Sequence, residues 1–153
     1  MGKIVELEYK RIIPTQDEIH DQYVVTFVRS YLRNPQDPII PIKRTLEGDL
    51  LLDGHHCAAS MELISKLTGA KIYGWIAENE EDLIENLPEM FHQHPHTINE
   101  KNRNIQKRFN LKPSKSCQQL GDLRKKYSFM ESPKKLVDFS LNHPEMELNN
   151  YRD

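Results

Sequence analysis

Two adjacent histidines and a cysteine follow a tight-turn pair about a third of the way along the chain. The sequence there reads Asp53-Gly54-His55-His56-Cys57-Ala58 and comes directly after three leucines. The apolar run Leu50–Leu52 predicts a buried strand, and Gly54 can take a positive φ without steric cost. Imidazoles at such a turn can donate hydrogen bonds or act as acids and bases, and a thiol there can be reactive or bind a metal.

The residues after the turn have the spacing of an amphipathic helix. Its apolar face consists of Ala59, Leu63, Ile64 and Leu67. Gly69 is a suitable terminator. The motif therefore lies at a helix start, where unpaired N–H groups and the positive end of the helix dipole favour an anion, most often phosphate. The predicted phosphate-binding residues are Gly54, His55, His56, Cys57 and Ala58. The alternative is that Asp53 only caps the helix and both histidines are solvated.

Charge is segregated along the 153 residues, whose net charge of -2 excludes a uniformly basic nucleic-acid binder. Residues 78–89 carry six acidic side chains and no basic one, whereas residues 101–126 carry nine basic side chains against the single acid Asp122. The basic segment can meet phosphates, pair with the acidic segment or form a solvated face. Its candidate contacts to nucleic acid are Lys107, Arg108 and Lys125.

No apolar run approaches the roughly 20 residues of a membrane span, and the N-terminus has no signal-peptide pattern, so we expect a cytoplasmic protein without a membrane contact. Cys57 and Cys117 are far apart and form no CxxC pair, which indicates neither a disulfide framework nor a thioredoxin-type motif. A helix start lowers a thiol pKa, so Cys57 is either a reactive thiol or is silenced by burial against Leu63.

The pattern predicts the α/β (α+β) class: a small mixed sheet with helices over residues 1–78, followed by a helical extension packed on it over residues 79–153. Strands are expected at Ile4–Tyr9, Ile39–Ile42, Leu50–Leu52 and Lys71–Ala77. A helix is expected at Gln22–Arg33, with Asp21 as its cap and an apolar stripe that includes Tyr23 and Leu32. Pro41 favours an edge strand or a bulge.

Helices are predicted in the second half at Glu80–Leu87, Asn99–Phe109 and Lys115–Tyr127, and from Ser132-Pro133 onward. The two basic helices favour either a helix-turn-helix reader of DNA or a cap that packs on the α/β unit. The expected cap residues are Ile105, Phe109, Leu111, Leu120, Leu123 and Tyr127. His92, His94 and His96 could hold Zn²⁺ with the motif, or form a solvated loop, which Pro95 favours.

Over Ile4–Ala77 the sequence resembles the ParB-like family, whose fold is shared with sulfiredoxin. The matching features are Ile13-Pro14 at the end of the first strand, the acidic pair Asp17-Glu18, Pro41-Ile42, the turn Asp53-Gly54-His55-His56 and the helix start Ala58-Ala59. Cys57 stands where the family motif has arginine. Arginine binds phosphate in a bidentate manner and cysteine does not, so this position departs from the family.

The resemblance implies a nucleotide or phosphate pocket for ATP or ADP, with Mg²⁺. The family includes DNA-partition proteins that bind and hydrolyse nucleotides, nucleases, a free-serine kinase and sulfiredoxin. The position of sulfiredoxin's catalytic cysteine matches His55, so that activity is not expected. Glu18, with Asp17 close behind, matches the base of the kinase-like members. Glu18 could hold Mg²⁺ together with Asp53, and His56 could donate to a phosphate oxygen.

Two main functions follow, and a third interpretation is a helper protein whose degraded pocket binds only a partner protein. The first is a nucleotide- or phosphate-binding protein that catalyses phosphoryl transfer or the hydrolysis of a nucleotide or phosphoester, as a phosphotransferase, nucleotidase or nuclease does. The alternative is a non-enzymatic DNA-binding regulator of the partition type, in which the basic helices hold DNA.

Overall fold

The computed structural model describes residues 2–83 and 105–148, and its centre is a five-stranded sheet. The strands are β1 (Lys3–Glu6), β2 (Ile12–Ile13), β3 (Ile39–Arg44), β4 (Asp49–Leu51) and β5 (Tyr73–Ile76). Their order is β1-β5-β3-β4-β2. The pairs β2–β4 and β3–β5 are parallel, and the other two pairs are antiparallel. This mixed sheet confirms the predicted α/β class.

Within the described residues, four α-helices pack with the sheet. They are α1 (Asp21–Arg33), α2 (His55–Thr68), α3 (Leu120–Arg124) and α4 (Pro133–Asn142). Helix α1 contacts α2, α3 contacts α2, and α4 contacts both α1 and α2. Short 3₁₀ helices lie at Tyr9–Arg11, Glu81–Leu83, Ile105–Asn110, Ser128–Met130 and Pro144–Met146. Across the ranges that are described, no helix is long and apolar enough to cross a membrane.

Helix α2 begins and ends at glycines in the left-handed region. Gly54 precedes it with a φ of 86°, and Gly69 follows it with a φ of 71°. An L-residue adopts such angles at a cost that glycine avoids, so these two positions fix both ends of the helix. The predicted turn and the predicted terminator are both confirmed.

Alternate residues of the strands face two separate apolar clusters on opposite sides of the sheet. Ile40 and Ile76 belong to the main core, which also contains the inner faces of α1 and α2. Ile39 and Trp75 point to the second cluster, against which Phe109 packs. The 3₁₀ helix that carries Phe109 therefore covers the face of the sheet opposite to α1 and α2.

The described second half contributes to the same main core as the first. Its buried members of that core are Cys117, Leu120, Leu123, Met130 and Leu136. This packing agrees with the prediction that the second half packs on the α/β unit. Leu111, which was expected among the packing residues, is 36% exposed. Ser132 accepts a hydrogen bond from the Lys135 N–H and so caps α4, with Pro133 at the first helical position as predicted.

Several predicted elements differ in extent. The helix expected at Lys115–Tyr127 is confined to the five residues of α3. The expected strand Ile4–Tyr9 ends at Glu6, and a 3₁₀ turn follows. His20, and not Asp21, is the N-cap residue of α1. The predictions for residues 84–104, including His92, His94 and His96, lie outside the described residues.

Pro41 lies in the central strand β3, so the prediction of an edge strand or bulge is wrong. It stands opposite Leu52, whose N–H donates to the Pro41 carbonyl at 3.0 Å. Proline has no N–H with which to return the second bond of this antiparallel pair. The missing hydrogen bond would have joined Pro41 to Leu52, which lies just beyond the last residue of β4, where the chain leaves the sheet. The central strand tolerates a proline at this position for that reason.

Candidate functional site

The parallel pair β2–β4 brings two loops to one end of the sheet. Strand β2 leads into residues 14–20 and then α1, whereas β4 leads into the turn at Asp53-Gly54 and then α2. Because the strands are parallel neighbours, both helices begin at the same edge. Ligands of open α/β sheets bind in the crevice outside the carboxyl ends of such strands. The acidic loop and the motif turn, which are far apart in sequence, are therefore neighbours.

Backbone N–H groups of residues 14–20 hold both motif histidines. The Thr15 N–H donates to His55 Nε2 at 2.9 Å, and the His20 N–H donates to His56 Nε2 at 3.0 Å. A ring nitrogen that accepts a hydrogen bond carries no proton, so a neutral ring has its proton on Nδ1. The loop thus selects the same tautomer for both imidazoles. Thr15 also fixes the loop to β4, because its hydroxyl donates to the Leu51 carbonyl at 2.7 Å.

His55 is only 1% exposed, and burial lowers its pKa from 6.5 to about 4, with further lowering by the charges of His56 and Arg108 and an opposing effect of Asp53. The ring is therefore neutral at physiological pH, with Nδ1 as its donor. Within residues 2–83 and 105–148, His55 Nδ1 has no hydrogen-bond partner. A buried donor without an acceptor is unfavourable, and a ligand that supplies an acceptor removes that penalty.

A guanidinium from the second half reaches the motif turn. Arg108 Nη1 lies 3.0 Å from Asp53 Oδ1 and 3.4 Å from the Leu52 carbonyl oxygen. Leu52 is the residue opposite Pro41, so its carbonyl has no donor from the sheet, and the arginine supplies one. Asp53 is 8% exposed, and the cation balances its buried charge. A guanidinium from a segment distant in sequence therefore lies at the motif turn.

The remaining motif residues form the base of this corner. A side chain at Gly54 would place its Cβ 2.8 Å from Ile40 Cγ2, so the turn packs directly on β3. Ala58 is fully buried, and its N–H donates to the Gly54 carbonyl at 2.9 Å as the first bond of α2. Cys57 is half-buried and packs against the main core.

The two acidic residues of the loop contact residues on either side of α3: Asp17 contacts residues before this helix, and Glu18 contacts a residue after it. Asp17 Oδ1 accepts from the hydroxyls of Ser114 at 2.6 Å and Ser116 at 3.2 Å, and these bonds lower the pKa of Asp17. Lys126 Nζ donates to Glu18 Oε2 at 2.7 Å and lowers the pKa of that carboxyl. A carboxylate of lowered pKa is a weaker base, so Glu18 is a poor general base while it holds Lys126.

The basic residues assigned to nucleic acid do not form one surface. Lys107 is exposed on the 3₁₀ helix behind the sheet, next to Arg108 at the motif turn. Lys125 is the residue after α3, a helix that packs on α2 and so lies on the opposite face of the sheet. Its Nζ pairs with Asp122 Oδ1 at 2.7 Å. A helix-turn-helix joins two helices by a short turn. The described part of this segment instead has a 3₁₀ helix and a five-residue α-helix that pack on opposite faces of the sheet.

No group of three or more His, Cys, Asp or Glu side chains that could hold a metal is found where the structure describes the chain. The Mg²⁺ site predicted from Asp53 and Glu18 would require both carboxylates to exchange a cationic partner, Arg108 and Lys126 respectively.

Sequence reasoning missed the roles of Thr15 and His20, because both hold the motif histidines through the backbone N–H, a group that nearly every residue type supplies. Arg108 was assigned to nucleic acid, and no local signal joins it to a turn 55 residues away. The parallel placement of β2 beside β4 is the feature that brings these residues together.

The described residues define a small mixed α/β protein with a histidine-lined turn at one end of its sheet. Comparisons of the chain with protein-family models, with curated proteins and with solved structures return no match. The resemblance to the ParB-like and sulfiredoxin family therefore stays a prediction, and the proposal below rests on the geometry of the described residues.

Proposed function

We propose that the protein binds a nucleotide or another phosphate compound at the start of α2, outside the carboxyl ends of β2 and β4. The observation that carries this proposal is His55 Nδ1, a buried donor at the first helical position without an acceptor in the described ranges. A phosphate oxygen is an acceptor of the right kind. The positive end of the α2 dipole favours the same charge.

Arg108 supplies the positive charge that such a ligand requires. Its side chain contacts Asp53 at the motif turn and is 37% exposed. Arginine can bind a phosphate through two parallel N–H groups, and it keeps its charge at every physiological pH. We therefore assign Arg108 to the phosphate and not to a nucleic-acid surface.

Binding is better supported than turnover. Phosphoryl transfer or hydrolysis with Glu18 as the base would require that carboxylate to leave Lys126, and Mg²⁺ would have to compete with Arg108 for Asp53. Both steps remain predictions from the sequence, as do the ATP or ADP cofactor and any binding of DNA.

Calorimetry with pyrophosphate, ADP and ATP, each with and without Mg²⁺, tests the proposal. The informative variant is Arg108→Gln, and Arg44→Gln is its matched control. Arg44 makes the same kind of pair with Asp49 at 2.8 Å and is 43% exposed, but it lies at the other end of β4.

We expect Arg108→Gln to weaken pyrophosphate binding by about tenfold or more, because a hydrogen bond to a charged group contributes roughly 1.5–3 kcal/mol. Arg44→Gln should bind like the wild type. His56→Ala should also weaken binding. Wild-type protein that binds none of the three compounds at millimolar concentration would overturn the proposal, and so would equal losses in the two arginine variants.

A further inference from the structure

A lysine of the central strand fixes the 3₁₀ helix Ile105–Asn110, which we call the strap, to the face of the sheet opposite to α1 and α2. Lys43 Nζ donates to the Phe109 carbonyl oxygen at 3.2 Å and lies 4.2 Å from the centroid of the Phe109 ring. An aromatic face attracts a cation, and the attraction is stronger where the pair is partly desolvated, as it is for the half-buried Lys43. One ammonium group thus holds both the main chain and the ring of the same residue.

Phe109 is the apolar anchor of the strap. Its ring packs against the second apolar cluster, whose buried members are Leu52, Trp75, Ala77 and Leu83. Lys43 and Ile39 are four residues apart in β3, so their side chains leave the same face of the sheet. Because Ile39 also packs against this cluster, Lys43 meets Phe109 on the face where the ring packs. Apolar packing and the ammonium group therefore hold the same ring.

Arg108 directly precedes Phe109, so the contacts of Lys43 fix the main chain beside the residue that reaches the motif turn. Arg108 Nη1 lies 3.0 Å from Asp53 Oδ1 and 3.4 Å from the Leu52 carbonyl oxygen. An arginine loses rotamer freedom when it binds an anion, and this cost falls when its position is set beforehand. Any group that fixes the strap thus affects the affinity of Arg108 for an anion.

We propose that Lys43 is a positioning residue of the phosphate site, because it fixes Phe109 and thereby holds Arg108 at the motif turn. This inference rests on the proposed function and identifies a residue outside the motif that sets the affinity of the same site. Lys43 acts through Arg108 and not on the anion, so its contribution exists only while Arg108 is present. That dependence separates positioning from attraction of the anion by the charge of Lys43, which acts with or without the arginine.

A double-mutant cycle with Lys43→Met and Arg108→Gln in the full chain tests this inference, with the dissociation constant of pyrophosphate measured by calorimetry. Methionine keeps an unbranched side chain against the Phe109 ring and removes the ammonium group. Lys43→Arg keeps a charged donor and is the conservative variant. Lys71→Met is the matched control for the loss of one positive charge, because Lys71 pairs with Glu6 at 3.3 Å and is 55% exposed.

We expect Lys43→Met to weaken pyrophosphate binding roughly fivefold, because it removes a cation–π contact and a hydrogen bond that fix the strap. In the Arg108→Gln background the same substitution should change the dissociation constant by less than about twofold. Lys43→Arg and Lys71→Met should bind pyrophosphate like the wild type. Phe109→Leu leaves the net charge unchanged, and it should weaken binding as Lys43→Met does, again only while Arg108 is present.

Additive losses in the double variant would overturn the inference, because a lysine that attracts the anion by its charge alone does not need Arg108. If Lys43→Met does not fold, which urea unfolding reports, Phe109→Leu decides the question in the same cycle. Weaker binding in Arg108→Gln without a loss in Lys43→Met or Phe109→Leu refutes positioning and leaves the phosphate site in place. A wild type that binds no pyrophosphate overturns the proposed function and this inference with it.

Discussion

The neutral state of His55 gives the folded protein a defined sensitivity to acid. An unfolded chain protonates this histidine near pH 6.5, whereas the buried ring resists protonation until about pH 4. Between these values the unfolded state binds more protons, so the free energy of unfolding falls as the pH falls. From the two pKa values, the wild type loses about 2 kcal/mol at pH 5 and about 3 kcal/mol at pH 4 through this residue alone.

The measurement is urea unfolding at pH 7, 6, 5 and 4, followed by the fluorescence of Trp75, the single tryptophan, which is 4% exposed. The control is His55→Gln, since a glutamine oxygen can still accept from the Thr15 N–H and does not titrate. Every other titrating group is common to both proteins, so the difference between the two curves isolates His55. Curves that run parallel from pH 7 to pH 4 would refute a buried neutral histidine at this position.

Two further predictions concern the turn and the packing of the second half. In urea unfolding, Gly54→Ala should lower the free energy of unfolding more than Gly69→Ala. Both positions have a positive φ, which costs an L-residue roughly 1–2 kcal/mol, but only at Gly54 would the new Cβ meet Ile40, at 2.8 Å. Equal losses in the two variants would contradict the close packing of the turn. Leu123→Ala should cost about 2–5 kcal/mol, because the side chain is 2% exposed in the main core, whereas Leu111→Ala at a 36% exposed site should cost well under 1 kcal/mol in the same thermal or urea assay. An unchanged free energy of unfolding in Leu123→Ala would mean that α3, which packs on α2, does not stabilise the fold.

Local chemistry explains what the sequence could predict. The ends of α2 were found because a glycine at each end takes a conformation that other residues avoid. The start of α4 was found because Ser132 and Pro133 suit the N-cap and first helical positions in any context. These signals act within four residues and need no knowledge of the tertiary fold.

Pairing across the sheet explains what the sequence could not predict. Pro41 is tolerated in a central strand only because its partner Leu52 lies where β4 has ended, and that register is not visible in either segment alone. Arg108 lies 55 residues from Asp53, so a basic run indicated a surface and gave no sign of a contact to the motif. Tyr23 had the spacing of a core residue, yet it lies in the first turn of α1, where its ring contacts His56 of α2, and it is 41% exposed.

The loop of residues 14–20 links these observations, because it contacts the motif on one side and the second half of the chain on the other. Its N–H groups at Thr15 and His20 set the tautomers of the two histidines. Its carbonyl at Ile19 accepts from the Tyr127 hydroxyl, and Asp17 accepts from Ser114. The loop is thus held both by β4, through the Thr15 hydroxyl, and by the second half of the chain. The tautomers of the motif histidines therefore depend on a loop with contacts to both halves, so the site involves more of the described fold than the Asp-Gly-His-His turn alone.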